Sequence, residues 1–253
     1  MTRRYQLEIE NKHKGKNKLR KVLEVTFIVI LMLAVSMFSI AYSLYGNAMF
    51  SKEFIKDFKA QRYAYDNQSL EHDQIVFFGD SITEMYLLGE HFPNVTIYNR
   101  GIGGDITSNM LTRLDSNVLK LKPRKIFFLG GCNDLRRGIS PIDIASNINK
   151  IIDKIQEKLP DTEIIVQSVY PINRSVKLAG RDLIAAFNDD EVIVLNNYIR
   201  QVCETQKVNF VDTYSHLVDD NKQLQPQYTF DGLHMTDQAY ELISTLLSPY
   251  VYE

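Results

Sequence analysis

The stretch Ile75-Val76-Phe77-Phe78-Gly79-Asp80-Ser81-Ile82-Thr83 carries the reading of the fold. Four apolar residues in a row, with no polar alternation, fit a strand covered on both faces, as in parallel sheets. Gly79 then permits a sharp turn, and Ser81 stands where a helix would begin. The same grammar repeats along the chain. Further β-rich runs lie at residues 95–98, 125–129, 163–169 and 208–211. Between them are helical patterns, the clearest at 141–159, where Ile144, Ile148, Ile151, Ile152, Ile155 and Leu159 fall on one stripe. Ser140 can cap this helix, Pro141 suits its first position, Asp143 favours the positive end of its dipole, and Pro160 ends it. A last helix after Thr236 carries Tyr240, Ile243, Leu246, Leu247 and Tyr250. This alternation predicts an α/β domain with a five-stranded parallel sheet and helices on both faces. Ligands of such sheets bind beyond the carboxyl ends of the strands.

Upstream of that domain the chain changes character. Residues 25–45 read VTFIVILMLAVSMFSIAYSLY, without a charge. At 1.5 Å per residue the run is about 30 Å long, the thickness of a bilayer's hydrocarbon core. It is apolar on every face and sits beside a basic tail, which argues against the alternative of a helix buried in a soluble domain. Eight Lys/Arg residues precede it, and by the positive-inside rule they stay cytoplasmic and place the following chain outside. A cleaved signal peptide is the competing reading, with Ser39-Ile40-Ala41 as a cleavage site, but the apolar core exceeds the usual length. The expected organisation is therefore a basic cytoplasmic tail (1–21), a transmembrane signal anchor (22–45), a polar stalk with scattered aromatics (46–71) and an extracytoplasmic domain (72–253). The protein would be single-pass in the cell membrane.

Charge and cysteine narrow the function classes. Of the 253 residues the first 24 carry +5 and the remainder −7, within a formal total of −2. A mildly acidic domain lacks the basic footprint that nucleic acid requires. Cys132 and Cys203 form neither a C-x-x-C pair nor a disulfide framework. His72, His91 and His216 show no metal-ligand spacing with His234. No internal repeat is visible.

The strand ends hold the chemistry-bearing residues. After the first strand comes Gly79-Asp80-Ser81, which lacks the second glycine of a G-x-S-x-G nucleophile elbow. After the second comes Asn99-Arg100-Gly101-Ile102-Gly103-Gly104-Asp105, suited to close approach of backbone to a ligand or to a tight turn; it has no G-x-G-x-x-G register. The third ends in Gly130-Gly131-Cys132-Asn133-Asp134, where the Asn133 amide can donate to an oxyanion or shape the turn. Phe230-Asp231-Gly232-Leu233-His234 directly precedes the last helix. Asp and His three apart in a loop let the carboxylate hold one imidazole nitrogen while the other faces outward.

Together the four blocks resemble the SGNH (GDSL-like) hydrolase superfamily. The family's G-D-S block stands as Gly79-Asp80-Ser81, its glycine block as Gly101-Ile102-Gly103-Gly104-Asp105, its G-x-N-D block as Gly131-Cys132-Asn133-Asp134, and its D-x-x-H block as Asp231-Gly232-Leu233-His234. They occur in the family's order over residues 72–250, and the glycine block looks like the platelet-activating-factor acetylhydrolase-like branch. The first block has Ile82 where leucine is usual. The resemblance implies a three-layer flavodoxin-like fold and ester hydrolysis with no metal or organic cofactor. It makes Ser81 the nucleophile, His234 the general base and Asp231 its orienting partner. The oxyanion hole would be the N–H of Ser81, the N–H of Gly104 and the side chain of Asn133. Asp80, Asp105 and Asp134 are expected to bond backbone at turns. Acetylated cell-surface or exported glycans are the expected substrates. A lysophospholipid or short-chain lipid ester, acetyl transfer onto a sugar, and a non-catalytic glycan-binding module are the alternatives. The stretch 173–191 is expected to form part of the pocket wall; its Arg174, Lys177 and Arg181 fit an anionic substrate, with a solvated loop as the favoured alternative.

Overall fold

A computed structural model describes residues 2–49, 51–178, 184 and 189–253. The chain divides into two units, Met1–Ile55 and Lys56–Glu253. The first is dominated by helix α1 (Thr2–Met49). Within it Arg20–Ser43 is long and apolar enough to cross a membrane. Its large apolar side chains, such as Leu33 and Phe38, are exposed.

Helix α2 (Lys52–Asp66) leads into the second unit. There β1 (Ile75–Gly79), β2 (Ile97–Gly101), β3 (Lys125–Leu129), β4 (Glu163–Gln167) and β5 (Asn209–Val211) form one sheet in the order β2-β1-β3-β4-β5. Every pairing is parallel. The connecting helices are α3 (Ser81–Glu84), α4 (Leu88–His91), α5 (Thr107–Asn117), α6 (Cys132–Arg136), α7 (Pro141–Lys158), α8 (Asp189–Gln206), α9 (Tyr214–Leu217) and α10 (Asp237–Tyr252).

The apolar run Ile75–Phe78 lies inside this sheet, between the edge strand β2 and the central strand β3. Ile75, Val76, Phe77 and Phe78 are all essentially inaccessible to solvent. Phe77 stacks on Phe127 of β3 with ring centroids 4.4 Å apart. Burying each such side chain stabilises the fold by about 1.5–3 kcal/mol. Helix α7 begins as its sequence predicts: the Ser140 hydroxyl accepts from the N–H of Asp143, and Pro141 fills the first turn. Its isoleucines from Ile144 to Ile155 point into the core.

Two expectations need correction. The second strand is expected at 95–98, yet β2 runs Ile97–Gly101, through Asn99 and Arg100. It is an edge strand, and its polar side chains have partners waiting. The Asn99 amide donates to the carbonyl of Thr83, and the Arg100 guanidinium reaches Asn67 Oδ1 at 2.6 Å. The second correction concerns the stalk. Residues from Lys56 onward belong to the second unit instead of leading up to it. Asn67 is buried and donates to the carbonyls of Ser116 and Asn117, the Asn117 amide donates to the carbonyl of Ala60, and the Tyr63 hydroxyl donates to the carbonyl of Gly101. These partners lie far off in sequence, so the local polarity of 46–71 gave no sign of them.

Sheet register sets where the chemistry can occur. Gly79 pairs with Gly101 on one side and with Leu129 on the other. The loops after β1, β2 and β3 therefore leave the sheet at the same level, bringing Ser81, the glycine loop and Asn133 to one edge.

Candidate active site

Ser81 is the first residue of α3, and Asp80 caps that helix by accepting from the N–H of Ile82 at 3.0 Å. From this position Ser81 Oγ lies 3.0 Å from His234 Nε2, although 153 residues separate the two. His234 Nδ1 lies 2.6 Å from Asp231 Oδ2. The other carboxylate oxygen, Oδ1, accepts from the N–H groups of Leu233 and His234 at 2.9 and 2.7 Å. The loop folds this way because an aspartate readily bonds the backbone two and three residues on. Gly232 allows the tight path: its φ is +92°, and a Cβ there would meet the carbonyl oxygen of Asn173 at 2.5 Å. Thr236 then caps α10.

Burial alone would push the Asp231 carboxyl up. The hydrogen bonds from the His234 ring and from the N–H groups of His234 and Leu233 outweigh it and leave the carboxyl below its ordinary value. An ionised carboxylate only accepts, so Nδ1 carries the proton and Nε2 is left to accept from the Ser81 hydroxyl.

The neighbouring carboxyls do different work. Asp80 is fully buried, and burial raises its carboxyl; Oδ2 takes the Cys132 thiol at 3.0 Å and the Asn133 amide at 3.3 Å. Burial also pushes the Cys132 thiol well above its usual range, so it stays protonated and is no competing nucleophile. Asp134, raised to about 6 by burial, accepts from both the N–H and the hydroxyl of Thr107 and so ties α6 to the start of α5. Asp105 is a correction. It is expected to bond backbone at a turn, but its carboxylate instead accepts from the Arg113 guanidinium, at 2.7 Å. Arg113 in turn donates to the carbonyls of Gly79 and Arg100 at the ends of β1 and β2. A lone arginine on an amphipathic helix gave no hint of that role.

Asn133 is buried at the start of α6, and Arg136 donates to its Oδ1 at 3.0 Å. That contact fixes the side chain's orientation, with the NH2 group toward Asp80. The glycine loop turns at Ile102–Asp105, where the N–H of Asp105 returns to the carbonyl of Ile102. A Cβ on Gly103 would sit 3.8 Å from Ser81 Cβ, so the loop runs beside Ser81. Gly104 has φ +74°, a left-handed conformation that favours glycine. Glu84, Lys56 and Lys59, none of which the sequence reading singled out, contact this loop or its neighbours. Arg174 and Lys177 are described, whereas Arg181, Asp182, Leu183 and Phe187 lie outside the described residues. Among the described residues no three His, Cys, Asp or Glu side chains converge as a metal site.

Residues 77–242 match the sequence profile of the GDSL-like Lipase/Acylhydrolase family. The chain belongs to this family. Members of the GDSL-like lipase/acylhydrolase family are hydrolases acting on esters, and several relatives are similar over the domain. Bovine platelet-activating factor acetylhydrolase IB subunit alpha1 is 27% identical over 115 residues, 44% of this chain. The chain thus spans about half (48%) of that relative's length. The human subunit alpha2 is 27% identical over 192 residues, covering 72% of this chain and 77% of its own. A solved structure from Streptococcus pneumonia, named for platelet activating factor, is 29% identical with a TM-score of 0.72. The match covers 85% of this chain and 99% of that one. A GDSL-like lipase from Bacteroides thetaiotaomicron is 26% identical with a TM-score of 0.67, covering 76% and 96%.

Proposed function

We propose that the chain is a membrane-anchored, extracytoplasmic serine esterase that removes acetyl groups from cell-surface or exported carbohydrate. One observation carries the chemistry: the continuous line Ser81 Oγ, His234 and Asp231, with contacts of 3.0 and 2.6 Å. In this reading His234 Nε2 takes the hydroxyl proton as Ser81 Oγ attacks the ester carbonyl. The tetrahedral oxyanion is held by the N–H of Ser81, the N–H of Gly104 and the Asn133 amide. Collapse expels the alcohol, which receives the proton from His234 and leaves an acyl-enzyme on Ser81. Water, deprotonated by the same base, then releases the acyl group. The choice of Gly104 over Gly103 is supported by hydrogen bonding. The N–H of Gly103 is taken by Glu84 at 2.5 Å, and no bond to the N–H of Gly104 is found among the described residues.

Two features favour a short acyl group on a sugar. The relatives named above include acetylhydrolases. Phe230 is 45% exposed, and its ring lies 6.1 Å from that of His234, the two planes within 18°. It offers a flat apolar platform beside the base that returns a proton to the leaving alcohol, as a sugar ring would use. The lipid alternative predicts a different chain-length profile. Burying each methylene contributes about 0.8 kcal/mol, so an apolar acyl groove would raise kcat/KM roughly fourfold per added carbon. With p-nitrophenyl esters the acetyl reading gives a peak at acetyl or propionyl and a fall by octanoyl. A rise continuing through decanoyl replaces it with the lipid reading. Acetyl transfer onto a sugar would show as acylated product when an acceptor glycan is added.

The apolar segment of α1 and the basic residues before it support the anchor, with the tail cytoplasmic and the domain outside. External protease on intact cells should then degrade the domain and spare the tail. A protected domain reverses the orientation. A mature N-terminus near Tyr42 turns the anchor into a cleaved signal peptide.

A further inference from the structure

We propose that Glu84, braced by Lys59, and Lys56 are positioning residues that hold the Gly103–Gly104 peptide in the orientation its N–H needs to bind the oxyanion. The inference rests on the esterase reading above and adds residues outside its sequence blocks. Glu84 is the last residue of α3, one helical turn after Ser81. Its Oε2 accepts from the N–H of Gly103 at 2.5 Å, and its Oε1 pairs with Lys59 Nζ. The backbone of the same residue packs against Gly101 so closely that a Cβ there would lie 2.2 Å from Glu84 N and 2.6 Å from Glu84 Cα. Glu84 therefore touches the glycine loop at both Gly101 and Gly103 while sharing a helix with Ser81.

Lys56 acts on the other side. Its Nζ donates to the carbonyl of Gly104 at 2.6 Å, and Arg137 Nη2 approaches the same oxygen at 3.4 Å. The peptide carrying the Gly104 N–H is thus flanked by two fixed ones. The peptide before it is held through the N–H of Gly103, and the one after it through the carbonyl of Gly104. This bracketing matters because two successive glycines have the greatest backbone freedom of any dipeptide. An oxyanion donor contributes most when it is already in place before charge develops. Both clamps involve a charged partner, which strengthens a hydrogen bond to the backbone. Lys56 and Lys59 lie on α2, which is also docked by Tyr63 to the carbonyl of Gly101 and by the Asn117 amide to the carbonyl of Ala60. Removing either lysine head group therefore leaves α2 attached.

The test uses the full-length protein with p-nitrophenyl acetate and an alkylboronic acid, which mimics the tetrahedral state on Ser81. Glu84→Gln, Lys59→Met and Lys56→Met are each expected to lower kcat by about 10–100-fold, below the cost of deleting a donor outright, with KM little changed. Boronate affinity should fall by the same factor while the melting temperature holds, and Lys59→Arg should recover most of the lost kcat. Wild-type kcat in all three Met and Gln variants overturns the inference, as does a loss confined to KM or one that tracks a fall in melting temperature. Turnover that persists in Ser81→Ala overturns the esterase mechanism itself. Ser81-dependent turnover with unaffected variants overturns the positioning role alone.

Discussion

Ser81→Ala is expected to lower kcat for p-nitrophenyl acetate by about 10⁶-fold, the scale seen when a catalytic serine is removed. Alanine has no oxygen to attack the carbonyl, so neither His234 nor the oxyanion donors have an intermediate to act on. What remains is the modest acceleration from binding and polarising the ester. The fold should survive. Among the described residues the hydrogen bond from Ser81 Oγ goes to His234 Nε2, and the imidazole is partly open to water that can replace it. A net side-chain hydrogen bond is worth about 0.5–1.5 kcal/mol, so the melting curve should move little. Labelling by a fluorophosphonate probe provides a second readout, because the probe reacts with an activated serine and should fail on the variant. Equal turnover in Ser81→Ala and wild type would remove the whole mechanism, and absence of labelling in wild type would favour a glycan-binding module.

Asp231→Asn should reduce kcat by about 10⁴-fold while leaving the site's shape intact. The reason lies in how the carboxylate is held. Oδ1 accepts from the N–H groups of Leu233 and His234, which cannot accept a proton in return. An asparagine in the same place must put its carbonyl oxygen there and turn its NH2 toward His234 Nδ1. That amide can only donate, so Nδ1 loses its proton and Nε2 gains one. The imidazole then donates toward Ser81 where it should accept. KM should change much less than kcat. The substitution also has a stability signature. The fold holds the Asp231 carboxyl below its ordinary value of 3.8, so its ionised form is the one stabilised. That increment is complete above about pH 4, where the unfolded chain is ionised too, and is lost as pH falls through the lower folded value. In acid unfolding, the variant should lack this part of the wild-type slope. A variant retaining wild-type kcat would show that Asp231 does not set the tautomer.

Much of the fold was legible because it is written locally. The run Ile75-Val76-Phe77-Phe78, closed by Gly79, fits a strand covered on both faces, and Ser140-Pro141 marks a helix start by capping and by proline's fixed φ. Neighbouring residues settle such features among themselves. The edge strand β2 was misplaced by two to three residues because its polar Asn99 and Arg100 join the sheet only when Thr83 and Asn67 arrive to bond them.

The same division runs through the site. Local sequence specifies an α/β domain with a parallel sheet, the apolar segment of α1, and the residue types offered along the chain for the site: a serine, a glycine loop, an asparagine, and an Asp-x-x-His pair. Long-range packing brings Ser81 and His234 to 3.0 Å and pairs Asp105 with Arg113. It also decided that residues from Lys56 on are part of the domain, and that Glu84 and Lys56 grip the glycine loop. Lys56 reaches a carbonyl 48 residues away, and the N–H of Gly103 meets a carboxylate 19 residues before it. No local pattern encodes such contacts. A lysine on a polar helix reads as solvated until packing places a half-buried acceptor within its reach, and that placement is a property of the assembled sheet and its loops.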